Sequence, residues 1–183
     1  MGKQFNHINK DHIEFIIKQK IFFVATSTPT SRISLSPKGM DSFRVLSKNK
    51  IIWLNYTGSG NETAAHLNID SRITIMFCAF EGAPMILRLY GKGKVIHKDH
   101  HKWQHHISQF KDTAGARQII EIDIDLVQTS CGMSIPLFEY KEERHMLKEW
   151  ASIKTDKELE EYWQKKNQFS IDGIPTNINK NYH

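Results

Sequence analysis

"IIEIDIDLV", residues 119–127, sets Ile120, Ile122, Ile124 and Leu126 in strict alternation with Glu121, Asp123 and Asp125. A period of two puts successive side chains on opposite faces of an extended chain, so this stretch reads as a strand with one apolar and one acidic face. Working upstream, "RITIMFCAF" (72–80) and "MILRLYGKGKVI" (85–96) are rich in strand formers and flank the turn residues "EGAP", which predicts a hairpin. "KIIWLNY" (50–56) and "IFFVATST" (21–28) are further apolar runs of strand length, and "RISLSPK" (32–38) alternates. These strands are consecutive and too few for a large sandwich. The expected fold is therefore mainly β with peripheral helices (α+β), a small antiparallel β-barrel whose closure removes exposed edges.

Helices are expected around this barrel. Ile8, Ile13, Phe15, Ile16 and Ile17 give an amphipathic helix over 8–19. Ser59 and Glu62 have the spacing of a capping box before a short helix at about 60–68, and Thr155 and Glu158 repeat it before a helix at 156–167. Another helix is expected at about 139–151. No repeat or low-complexity linker interrupts the 183 residues, so 1–183 is expected to be one domain, with 39% hydrophobic residues to fill its core.

A net charge of +5 permits an anionic ligand or nucleic acid without selecting either. The two cysteines, Cys78 and Cys131, have no CxxC spacing, which argues against a disulfide framework or a zinc knuckle and for a reduced, cytoplasmic setting. The first twenty residues lack an apolar signal core, and no run reaches the length of a membrane span.

The candidate site begins on the strand at 32–38. Arg32, Ser34, Ser36 and Lys38 share one face, with no acid until Asp41, so that face is expected to meet an anion. The turn "YTGSGNET" adds short donors at Thr57, Ser59, Asn61 and Thr63, before a helix whose free amides point outward. A phosphate suits both, because it accepts many hydrogen bonds and pairs with a guanidinium fork. The plain alternative is that Ser59 only caps a helix and the strand hydroxyls are solvated.

Other motifs carry less. In "HKDHHKWQHHISQF" (97–110), His101 and His105 lie one helical turn apart and could hold a metal, but Trp103, Ile107 and Phe110 mark an apolar face and leave the histidines on the wet one. No metal site is assigned. Trp150 and Trp163 read as packing residues, Cys131 as a buried inert thiol, and "GKGKV" (91–95) as a twisted strand with solvated lysines.

Taken together, "RISLSPKGMDSFRVL", "TGSGNETAAHL", "ITIMFCAFEGAPMILRLYGKGKVI", "SCGMSIPLFEY" and "SIDGIPT" resemble, in order and spacing, a bacterial branch of the pyridoxamine 5'-phosphate oxidase-like family, the FMN-binding split barrels. The resemblance spans roughly residues 8–175. It implies a six-stranded antiparallel split β-barrel, a homodimer with FMN at the interface, and an FMN-dependent oxidoreductase acting on a small organic substrate. Carried over by position, it assigns Arg32 and Lys38 as phosphate cations, Ser34 and Ser36 as donors near the flavin, and Thr57, Ser59, Asn61 and Thr63 as the second cofactor segment. It assigns no catalytic residue.

The chain also departs from the family pattern. Asn61, Glu62 and Thr63 stand where true pyridoxamine phosphate oxidases have Ser-Arg-Lys, and the substrate motif with its Arg and His has no counterpart in "NQFSIDGIPTNINK". These departures point away from pyridoxamine phosphate as substrate. The rival readings are a flavin-binding module without turnover and a haem-binding relative on the same barrel. Nucleic-acid binding calls for exposed aromatics among strand cations, where this chain has hydroxyls.

Overall fold

The computed structural model describes residues 2–178. In chain order the elements are β1 (Lys3–Phe5), α1 (Lys10–Lys18), β2 (Phe22–Thr26), β3 (Ser34–Lys38), β4 (Phe43–Ser47), β5 (Lys50–Tyr56), α2 (Glu62–Leu67), β6 (Arg72–Cys78), β7 (Ile86–Ile96), α3 (Trp103–Ile107), β8 (Ala116–Ser130), α4 (Met146–Ser152) and α5 (Asp156–Lys166). The alternating stretch at 119–127 lies within β8, the longest strand at 15 residues. It pairs with β7 along most of its length, with β5 through its first half and with β1 at its end.

All pairings are antiparallel, and the strands run β3-β2-β6-β7-β8-β5-β4, with β1 added against β8. The sheet curls until its two ends meet through side chains. Phe22 of β2 lies 5.1 Å from Phe43 of β4 and 6.3 Å from Trp53 of β5, although β2 and β4 are five places apart in the strand order. β3 and β4 do not pair, so the barrel stays split between them. Ile51, Trp53, Ile75, Leu87, Leu89, Ile120 and Ile122 fill the interior, with no more than 2% of any of them exposed. At the Tyr90/Gly91 bulge β7 comes so close to β8 that a Cβ on Gly91 would stand 2.1 Å from the Asp123 carbonyl oxygen, which only glycine allows.

The sheet has eight strands where six were expected. β1 is too short for a period to show, and β4, joined to β5 by a turn at Lys48–Asn49, is half-buried over its first four residues and so hides its alternation. The helices at 8–19 and 156–167 are present as α1 and α5, and α5 carries the Thr155/Glu158 box. α1 has a capping box of its own, built from Asn9 and His12.

Four local expectations are corrected. The helix expected over 139–151 forms only at 146–152, because the preceding segment is tied across the β6–β7 hairpin. There the Phe138 N–H donates to the Phe80 carbonyl at 2.9 Å, and the two rings lie 5.3 Å apart. Ser59 does not cap α2: Asn61 occupies the N-cap without a side-chain cap bond, and the Glu62 carboxylate accepts from the Ile171 N–H. Cys131 is exposed beyond the end of β8, whereas Cys78 is buried. His101 and His105 are exposed as expected, but His97 is buried and His106 turns inward. No helix among the described residues is long and apolar enough to cross a membrane.

Candidate functional site

A cleft of about 670 Å³ opens along the inner face of β3, reaching the end of β5, the turn at 57–61 and the start of β8, with Leu147 of α4 and Ile171 on its border. The alternation of β3 decides how deeply each residue is set. Ser34, Ser36 and Lys38 are half-buried along the cleft, while Ile33 and Leu35, which also border it, are 78% and 64% exposed. Neither serine hydroxyl has a hydrogen-bond partner among the described residues. The Lys38 ammonium lies 5.2 Å over the Trp53 ring. Burial, and then the charge of Arg117, push its pKa down from 10.5 to about 8.

Arg32 and Lys38 do not share one locus. At ~3.3 Å per residue the strand from Ser34 to Lys38 already spans about 13 Å, and Arg32 lies two residues further on. The Arg32 guanidinium pairs instead with the Asp172 carboxylate, which also accepts from the Arg32 backbone N–H at 2.8 Å. These contacts hold the Asp172 carboxyl below the usual carboxylate range.

The second cation of the deep end comes from β8. Between Asn55↔Gln118 and Tyr56↔Ala116 the register of β5 against β8 shifts, leaving Arg117 as the residue without a partner on β5. A bulge of this kind re-aims a side chain. Arg117 lines the cleft yet is only 5% exposed. Its Nη1 donates to Asn167 Oδ1 at 2.7 Å and its Nη2 to Asn55 Oδ1 at 3.3 Å, while its Nε has no partner among the described residues. No carboxylate among the described residues pairs with it. Burial pulls its pKa from 12.5 to about 9.

The turn residues divide by task. Thr57 Oγ1 donates to the Gly115 carbonyl at 2.7 Å and accepts from Trp163 Nε1 at 2.8 Å, so this hydroxyl braces β8 and α5. Asn61 Nδ2 donates to Gln118 Oε1 at 3.0 Å, and Asn61 Oδ1 accepts from Asn55 Nδ2 at 3.2 Å. Ser59 is exposed on the border and Thr63 is buried. Glu62 is the one carboxylate among the described lining residues, and its oxygens lie 3.1 and 3.2 Å from the Ile171 nitrogen. The cleft thus offers two neighbouring cations, free hydroxyls and an acid already engaged. Sequence reading missed Arg117 and Asn167.

A profile of the pyridoxamine 5'-phosphate oxidase family matches residues 8–131. The chain belongs to the pyridoxamine 5'-phosphate oxidase family. Within it, the pyridoxamine 5'-phosphate oxidase family protein ustO of Aspergillus flavus is 35% identical over 180 residues, covering 88% of this chain and 72% of that one. Among solved structures, Group A Streptococcus HupZ superposes with a TM-score of 0.52 at 16% identity, over 65% of this chain and 91% of that one. A Lactobacillus delbrueckii protein named for pyridoxamine 5'-phosphate oxidase superposes at 0.53 with 14% identity, over 67% and 94%. These two likenesses bear on the fold alone. They agree with the split antiparallel barrel expected of a pyridoxamine 5'-phosphate oxidase family member.

Proposed function

We propose that the chain binds FMN in this cleft and works as an FMN-dependent oxidoreductase on a small organic substrate, as a cytoplasmic homodimer with the cofactor at the interface. The observation that carries the reading is Arg117, a buried guanidinium that no carboxylate among the described residues neutralises and whose Nε has no partner among them. A buried charge left unpaired is costly, so an arrangement of this kind fits a site completed by an anion. The phosphate of FMN has the needed charge and number of acceptor oxygens. Where true pyridoxamine phosphate oxidases carry Arg-Lys in the turn, this chain has Glu62 and Thr63; Arg117 and Lys38 supply two positive charges from other strands.

FMN, when bound, supplies two-electron chemistry at its isoalloxazine ring. The protein's part is to hold and orient. Lys38 and Arg117 take the anionic end, Ser34 and Ser36 offer unpaired hydroxyls along the inner face of β3, and Asn61 and Thr57 keep the turn in shape through bonds to Gln118, Gly115 and Trp163. Arg32 enters only after release from Asp172.

The outer sheet face supports the second copy. Registered across the strands, Leu35, Ala25, Thr74, Tyr90 and Leu126 form one row, and Pro37, Phe23, Met76, Arg88 and Gln128 the next. Most of these side chains are apolar or aromatic, and none is buried. Such a face beside the cleft suits an isologous partner.

The test is the absorption spectrum of the purified protein, with acid release of any chromophore and the mass by light scattering. A band near ~450 nm, released FMN and a dimer mass are expected, since the cofactor fixes the chemistry. A Soret band, or failure to take up added FMN, overturns the cofactor; a monomer that retains FMN overturns the interface. FMN that no donor or substrate reduces leaves a binding module and overturns the enzyme.

A further inference from the structure

Buried arginines are ordinarily neutralised by a carboxylate, because an isolated charge in a poor dielectric is expensive. Arg117 is held differently. Both of its hydrogen-bond partners among the described residues are amide carbonyl oxygens, Asn167 Oδ1 at 2.7 Å and Asn55 Oδ1 at 3.3 Å, which fix direction without cancelling charge. The one carboxylate among the described residues lining the cleft, Glu62, accepts from the Ile171 N–H instead.

Asn167 is the more telling of the two amides. It follows α5, is 0% exposed, and has every polar group committed. Its backbone N–H donates to the Trp163 carbonyl at 2.8 Å, its carbonyl accepts from Thr176 Oγ1 at 2.6 Å, and its Nδ2 donates to the Gly58 carbonyl at 3.0 Å. One rigid amide therefore grips the guanidinium with its oxygen and the 57–61 turn with its nitrogen. Aspartate has nearly the same shape and would pair Arg117 more strongly, but it would remove the charge.

We propose that Asn167, assisted by Asn55, is a positioning residue that locks Arg117 and the Gly58 turn into one anion cradle while leaving the guanidinium charge available to a phosphate-bearing ligand. This rests on the anion-binding half of the function proposed above and not on the flavin. It makes charge, rather than shape, the property selected at position 167.

The test follows thermal stabilisation and calorimetric affinity with inorganic phosphate and, separately, with FMN, on the full chain. Wild type should be stabilised by phosphate. Asn167→Ala should lose about 10-fold in affinity by loosening the guanidinium. Asn167→Asp, closer in shape, should lose on the order of 100-fold, because it supplies the missing counter-ion. Asn55→Asp gives the same charge test from the other partner, should the first variant fail to fold.

A merely structural Asn167 would make the losses in phosphate affinity follow the losses in thermal stability, with Asn167→Asp destabilised as well because its carboxylate would face the Gly58 carbonyl, and that pattern overturns the proposal. Wild type indifferent to phosphate overturns it as well. Phosphate stabilisation with the predicted order, but no uptake of FMN, upholds the cradle and retires the flavin reading.

Discussion

Arg117 and Glu121 stand four residues apart on β8, one a buried cation and the other a buried anion, 5% and 6% exposed. Glu121 is met by two cations and a ring nitrogen: Lys102 Nζ lies 2.9 Å from Oε1 and Lys50 Nζ 3.7 Å away, and His106 Nε2 lies 3.0 Å from Oε2. Burial alone would push its carboxyl up, but the bonds from Lys102 and His106 outweigh this and hold it below the usual range. Among the described residues Arg117 is hydrogen-bonded by neutral amides alone. The same strand thus closes one charge within the protein and leaves the other open. A compensated buried ion fastens α3 to the sheet, whereas one without a carboxylate partner among the described residues is what the proposed anion site rests on.

Exchanging each charge should separate the two roles. Glu121→Ala strips the acid from Lys102, His106 and Lys50, and is expected to cost about 3 kcal/mol of stability while leaving phosphate affinity within about twofold of wild type. Arg117→Met should do the opposite. It removes a desolvated charge along with two hydrogen bonds, so stability should change by no more than ~1 kcal/mol, while phosphate affinity falls by on the order of 100-fold. Denaturant unfolding and calorimetry read the two quantities. If both variants lose stability alike and bind phosphate alike, the contrast between the sites is gone.

The same contrast separates what was legible in the sequence from what was not. Ile120, Ile122 and Ile124 announced β8 because regular pairing preserves a period of two; the bulge opposite Asn55 and Tyr56 breaks that period at Arg117, the residue of greatest interest. Asn167 was invisible for another reason: its side chain meets Arg117 at a separation of 50 residues and Gly58 at 109. Local chemistry reads well where nothing distant competes for it. Thr155 and Glu158 form their capping box, but at Ser59 the same spacing fails because Ile171, 109 residues from Glu62, takes the carboxylate. The polar face of β3 was legible as a pattern, while its division into a deep Lys38 and an outer Arg32 awaited the strand's length and Asp172.

The smaller and finer effect lies in pH, and its sign distinguishes an open cation from a closed one. Lys38, lowered from 10.5 to about 8 by burial and by Arg117, releases its proton in the folded protein before the unfolded chain does. Between those values the unfolded state binds more protons, so the ligand-free protein should gain stability as pH rises from about 8 toward 10.5. Phosphate binding should move the other way, because the ligand needs the ammonium. The Lys38 contribution should fade by up to about tenfold per pH unit above ~8, and bound phosphate should lift the lysine's pKa back toward its ordinary value. Thermal melts and phosphate titrations from pH 7 to 10 should therefore give opposite slopes, and Lys38→Met should reduce both, the remainder coming from Arg117, whose value of about 9 lies in the same window. Parallel slopes, or slopes unchanged in Lys38→Met, would mean that Lys38 is no part of the open charge and that Arg117 alone defines the deep end of the cleft.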